Sequence, residues 1–174
     1  MLGDRVSARK VNGGVIVTNR PVRKRGKPSA KLLAQRERFK EAVAYAKHQE
    51  KHEKSSALYA QGIKSKHQSV YSVALGDFMN APIVKMIDPS FYHGRIGDIV
   101  EIEATDDFMV TKVIVTIIDA HDVVIEQGEA TQHSDRINAW EYKSVEANAT
   151  QRGTKIRAIA IDKPGNKGTK EIVL

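Results

Sequence analysis

The sequence predicts an α+β protein: a small helical N-terminal unit with a basic arm and hairpin, followed by an all-β sandwich. Three observations predict it. Apolar residues recur with a helical period before Pro82 and with a period of about two after it. Turn-forming residues punctuate the second stretch at the spacing of short strands. Charge divides at the same place: residues 1–80 hold 17 Lys and Arg against 6 Asp and Glu, net +11, whereas residues 81–174 hold 11 against 15, net −4. The expected layout is a basic hairpin and arm over 1–28, a helical region over 29–80 and the sandwich over 81–174.

In the first stretch, Asn12-Gly13-Gly14 separates Val11 from Val15-Ile16-Val17. Asn-Gly between β-formers signals a hairpin, because a tight two-residue turn needs positive φ at both central positions. A lone hairpin is marginal, so this one needs something to dock on. Pro21, Pro28 and the cations between them favour an extended arm. Ser29 then reads as a helix N-cap, and 30–51 are good helix formers with Leu32, Phe39, Val43 and Ala46 at helical spacing. Leu33 and Ala42 broaden that stripe. Ser55 or Ser56 is placed to cap a short helix through 57–60 that Gly62 ends. Val70, Val73, Ala74 and Phe78 mark a third helix over 66–79. Large apolar residues are few, so the helical core is expected to be thin and to lean on the sandwich or a partner.

After Pro82, seven strands are expected over 83–87, 98–104, 110–118, 123–129, 137–143, 154–161 and 169–173. Asp88-Pro89, Gly94, Gly97, Asp106-Asp107, His121-Asp122, Gly153 and Pro164-Gly165-Asn166 supply the turns. Seven short strands in such a length fit an immunoglobulin-like sandwich. Val113, Val115 and Ile117 face one way, with Ile114 and Ile118 on the other side. Trp140 and Tyr142, two apart, share a strand face and read as core rather than as a stacking platform for a sugar or base.

The run from Asp98 through Asp106-Asp107-Phe108, the pair Trp140 and Tyr142, and Ala158-Ile159-Ala160-Ile161-Asp162 with Pro164-Gly165-Asn166 resemble bacterial immunoglobulin-like or fibronectin type III-like modules. Gly13-Gly14 to Arg20-Pro21, then Lys27-Pro28-Ser29, Ala34-Gln35-Arg36 and Phe39-Lys40, resemble small bacterial proteins of uncharacterised role that share this whole layout. The resemblance implies the fold; it carries no catalytic residues, because sandwich modules serve many functions.

The basic arm and first helix are the leading candidate site. Arg20, Arg23, Lys24, Arg25, Lys27, Lys31, Arg36, Arg38 and Lys40 could neutralise phosphates and release counterions without reading sequence. The expected partner is nucleic acid or another polyanion, in a cytoplasmic, ribosome- or nucleoid-associated role. A structural or assembly component, self-associating through the sandwich and the N-terminal arm, is the alternative. His48 and His52 are four apart on one helix, yet flanking lysines oppose a metal there. Asp106, Asp107, Asp119, Asp122 and Asp162 fall at strand ends, where turn formation is the ordinary reading and calcium between loops the minor one. No metal or cofactor is expected. The chain has no cysteine, no apolar run of membrane-spanning length and none of the glycine-rich or Gly-x-Ser-x-Gly motifs, so neither an enzyme nor a membrane partner is expected.

Overall fold

The computed structural model describes residues 6–11, 14–19 and 27–174. The Asn12-Gly13 turn and the arm from Arg20 to Gly26 lie outside the described residues. Tertiary contacts divide the chain into two units, Met1–Gln35 and Arg36–Leu174. Three helices and three sheets make it a mixed α+β protein.

The first unit holds the expected hairpin. Strand β1 (Val6–Val11) pairs antiparallel with β2 (Gly14–Asn19), Val6 opposite Asn19 and Lys10 opposite Val15. Registered partners point to the same side, so Ala8, Lys10, Val15 and Val17 share one face, with Arg9 and Ile16 on the other. Every residue of β2 is exposed. Ser29 caps helix α1 (Ala30–Lys51) as expected: its Oγ accepts a hydrogen bond from Leu32 N at 3.2 Å.

The buried seam of α1 keeps Ala42 and Ala46 of the expected stripe, leaves Val43 half-buried and adds Gln49. Leu32, Leu33 and Phe39 are exposed, and the buried positions are Ala42, Ala46 and Gln49. Small side chains win because they allow close approach to the neighbouring helices: Ala46 meets Ala74 and Tyr59 in one cluster, flanked by Tyr45, Val73 and Phe108. Helix α2 (Glu53–Ala60) begins earlier than expected. His52, with extended backbone, precedes it without a side-chain cap, and Ser55 and Ser56 lie inside the helix rather than at its start. Helix α3 (Val70–Met79) begins later than expected because Ser69 and Ser72 form a reciprocal capping box there.

All seven expected strands are present: β3 (Ile83–Asp88), β4 (Ile99–Thr105), β5 (Val110–Ile118), β6 (Val124–Glu129), β8 (Ala139–Lys143), β9 (Lys155–Asp162) and β10 (Lys167–Val173). A two-residue strand, β7 (Thr131–Gln132), adds an eighth. They form two antiparallel four-stranded sheets in the orders β10-β9-β5-β6 and β3-β4-β8-β7. Strict alternation of buried and half-exposed residues along β4 and β9 presents one face of each sheet to the other. Val100, Ile102, Trp140 and Tyr142 from one sheet share a single core with Val113, Val115, Ile117 and Ile156 from the other. At its border lies Glu126, only 6% exposed. Tyr142 and Ser144 hydroxyls donate to its carboxylate at 2.9 and 2.7 Å, as does Val145 N at 2.8 Å. A buried charge is tolerated when neutral donors saturate it in this way.

The sandwich closes where β10 runs along β3. A Cβ on Gly168 would sit 1.8 Å from the carbonyl oxygen of Pro82, so no other residue fits without moving backbone. Lys170 Nζ donates to Lys85 O across the same seam. Gly168→Ala is expected to lower unfolding free energy by about 2–4 kcal/mol. A denaturant titration measures it, and a loss below about 0.5 kcal/mol contradicts this closure.

Candidate carboxylate site at the helix-sheet joint

Three aspartates from three separate elements converge in the second unit. Asp77 projects from the last turn of α3 and is 1% exposed. Asp106 follows β4, and its Oδ2 accepts from Phe108 N and Met109 N at 3.3 and 3.1 Å, shaping the turn into β5. Asp162 ends β9 and is 2% exposed. Its Oδ1 accepts from Gly165 N and Asn166 N at 2.8 and 2.6 Å, organising a turn in which Gly165 takes a φ of 96°. Local turn chemistry thus aims two carboxylates at the end of the helix that carries the third. One oxygen from each lies within 4.8 Å of the others.

The partners of these oxygens are unequal. Asp77 Oδ2 accepts a hydrogen bond from the Tyr59 hydroxyl. That hydroxyl also lies 2.7 Å from Tyr45 Oη, and Phe108 stacks on the Tyr59 ring at 4.5 Å. Asp77 Oδ1 and Asp106 Oδ1 are enclosed and have no donor. Burial, reinforced by the charges of Asp106 and Asp162, pushes the Asp77 carboxyl up to about 7 against the pull of its Tyr59 hydrogen bond. Burial raises Asp162 as well, against the hydrogen bonds from Asn166 and Gly165. Tyr59 is driven far above the ordinary phenol range by burial and by its bond to Asp77. Two cations stand nearby: Lys163 Nζ, 5.9 Å from the centre of the Tyr59 ring, and Lys64. Asp77 and Asp106 line a cavity of about 320 Å³ together with Lys64, Gln68 and Ser72. Such a cluster can share a proton or hold a cation.

Asn166 locks the site in place. Its Nδ2 spans Asp77 O, Phe78 O and Asn80 O at 3.1, 3.2 and 3.1 Å, as well as Asp162 Oδ2 at 2.7 Å. Arg38 Nη2 donates to Asn166 Oδ1 at 3.2 Å and reaches Phe78 O and Met79 O at 3.4 Å.

The residues expected to bind a polyanion are distributed differently. Arg20, Arg23, Lys24 and Arg25 lie outside the described residues. Lys27, Lys31, Arg36 and Lys40 are exposed, and Lys40 pairs with Glu37 at 2.8 Å. Arg38 is engaged with the α3 terminus. His48 and His52 are exposed and face each other, Nε2 to Nε2 at 2.8 Å. Of the strand-end aspartates, Asp119 is a turn former, accepting from His121 N and Val123 N. Asp122 meets Lys155, and Asp107 meets Asn80. Trp140 and Tyr142 are core, as expected. Asp77 was not foreseeable from periodicity, which registers only the apolar face of its helix; its one signal is being the single acid in Val70–Met79.

No protein-family model matches the chain, and no curated protein matches it. Among solved structures, it is similar to CopC from Methylosinus trichosporium OB3b, at 12% identity and a TM-score of 0.38, over 52% of this chain and 87% of that one. It is also similar to the catalytic module of the glycogen-degrading pneumococcal virulence factor SpuA, at 14% identity and a TM-score of 0.32. That match covers 48% of this chain and 12% of SpuA's. Likeness at this level assigns neither a family nor an activity. Among the described residues, no helix is long and apolar enough to cross a membrane.

Two outcomes are expected of this site. In buffer containing a chelator, the thermal midpoint falls as pH rises from about 4 towards 7, because the unfolded Asp77 releases its proton near 3.8 and the folded one near 7. Asp77→Asn flattens that dependence; an equal slope in the variant contradicts the assignment. Asn166→Ala removes a donor shared by the half-buried Asp77 O and Phe78 O and the exposed Asn80 O, and is expected to cost about 1–2 kcal/mol in a chemical denaturation curve.

Proposed function

We propose that this chain is a non-catalytic assembly protein, with the sandwich as its body and the N-terminal unit as the element that docks on another protein chain. The observation that carries this reading is the hairpin. Among the described residues it contributes to neither apolar core, and Val15 and Val17 are 65% and 61% exposed on one face. Leu32 and Leu33 at the start of α1 are exposed as well. Two strands with open edges and bare valines gain stability by pairing with, or packing on, a neighbouring subunit. Lys10 beside Val15, and Arg9 beside Ile16, suit an acidic receiving surface, and the 81–174 segment carries a net charge of −4.

The strand orders support reading the body as immunoglobulin-like. The sheet β3-β4-β8-β7 corresponds to an A-B-E-D arrangement, and β6-β5-β9-β10 to C′-C-F-G.

A second reading, polyanion binding, is favoured by Lys27, Lys31 and Arg36, which stand exposed beside the arm. The two separate by experiment. Light scattering coupled to sizing of the full chain is expected to show mass that grows with concentration and is unchanged by nuclease. The double variant Val15→Lys with Val17→Lys is expected to remain monomeric. A monomeric parent that instead binds RNA or DNA, with affinity falling about 10³-fold or more between 50 and 200 mM salt, replaces assembly with the polyanion reading.

A further inference from the structure

We propose that Asp77, Asp106 and Asp162 form a binding site for a calcium ion that ties helix α3 to the sandwich. Convergence of acids is not the whole argument. Among the described residues, four enclosed side-chain atoms have no hydrogen-bond partner, and two of them, Asp77 Oδ1 and Asp106 Oδ1, belong to this one cluster. Asp77 is 1% exposed, so water outside the fold does not solvate its orphaned oxygen. A buried carboxylate oxygen facing two other carboxylates and no donor is unfavourable unless a shared proton or a cation sits between them, and only a cation can satisfy all three at once.

The donor set fits calcium by chemistry and by size. All three ligands are hard carboxylate oxygens, without the imidazole or thiolate that would favour zinc. Calcium–oxygen distances of about 2.3–2.6 Å place two ligand oxygens on one ion at most about 5 Å apart. The spread of 4.8 Å among the three aspartate oxygens falls inside that limit. Calcium also tolerates irregular geometry, as a helix end and two turns would provide. The adjoining cavity of about 320 Å³ gives an entry path and room for water to complete the shell. Tyr59 and Asn166 act as positioning residues. The tyrosine hydroxyl holds Asp77 Oδ2, and the asparagine amide holds Asp162 Oδ2. Of the nearby cations, Lys163 lies against the Tyr59 ring, Lys64 along the cavity wall, and Arg38 is spent on Asn166 and the α3 carbonyls. Neither lysine donates to Asp77 Oδ1 or Asp106 Oδ1.

The test uses the full chain, stripped with EDTA, in equilibrium dialysis against radioactive calcium chloride and in calorimetric melting with and without the metal. One ion per chain is expected, with a dissociation constant between about 10⁻⁶ and 10⁻³ M, and a thermal midpoint that rises with calcium until the site saturates. Magnesium chloride at the same concentration is expected to raise the midpoint less. Asp106→Asn and Asp162→Asn keep side-chain shape and an acceptor oxygen, and each is expected to weaken binding by about tenfold or more. Asp119→Asn, outside the cluster, is expected to bind as the parent does. Should Asp77→Asn fail to fold, the Asp106 and Asp162 variants still decide the matter. Absence of binding at millimolar calcium, or binding that neither variant weakens, overturns the proposal.

Discussion

Everything in the larger unit depends on how the last turn of α3 is terminated. A helix ends with four carbonyls that its own backbone does not satisfy, and these are costly when enclosed. Here Asn80 N takes Gly76 O, Asn166 takes Asp77 O and Phe78 O, and Arg38 reaches Phe78 O and Met79 O. The donors come from α1 and from the turn between β9 and β10, elements separated by more than a hundred residues. Satisfying one helix terminus therefore fixes two helices against the sandwich at once. It also explains why a thin helical core suffices. Ala46, Tyr59 and Ala74 bury little area, and polar geometry at the joint supplies the specificity that apolar volume does not.

The same joint concentrates the unit's electrostatic tension. Burial and mutual repulsion act on Asp77 together, whereas Glu126, another side-chain carboxyl and similarly enclosed, is surrounded by hydroxyl and backbone donors. One buried acid is thus fully solvated by protein and the other is not. That contrast separates a structural carboxylate from one with unspent affinity. Aspartates such as Asp119 and Asp88 direct their oxygens at their own backbone and complete their chemistry locally.

The sandwich was readable because its signal is local. Alternation through Ile99–Thr105, the buried faces of Val113, Val115 and Ile117, and turn residues such as Gly153 and Pro164-Gly165-Asn166 each act within a few residues of chain. The helices were less readable at their edges. Ser55 and Ser56 have the chemistry of a cap, but the chain re-enters helix at Glu53, and propensity does not encode the break at His52. The apolar stripe of α1 held only in part, for a tertiary reason: Ala42 and Ala46 are buried, whereas Leu32, Leu33 and Phe39 have the period of a core face but stay exposed among the described residues. The carboxylate cluster lay furthest from view. Asp106 and Asp162 were recognisable as turn residues, but their meeting with Asp77 is a product of strand order and helix docking. No spacing in the chain announces it.

The placement of aromatic residues has a practical consequence. The one tryptophan, Trp140, is enclosed in the sandwich core, whereas Tyr45, Tyr59 and Tyr71 gather in the helical cluster. The indole thus belongs to the sheets alone, and the phenols divide between the sheets and the helices. Indole emission reports on the packing of the sheets alone, whereas phenol absorbance combines the helical cluster with Tyr92 and Tyr142 of the sandwich core. Loosening of the helices ahead of the sandwich would appear as two spectral transitions, in the unlabelled protein and with no residue replaced.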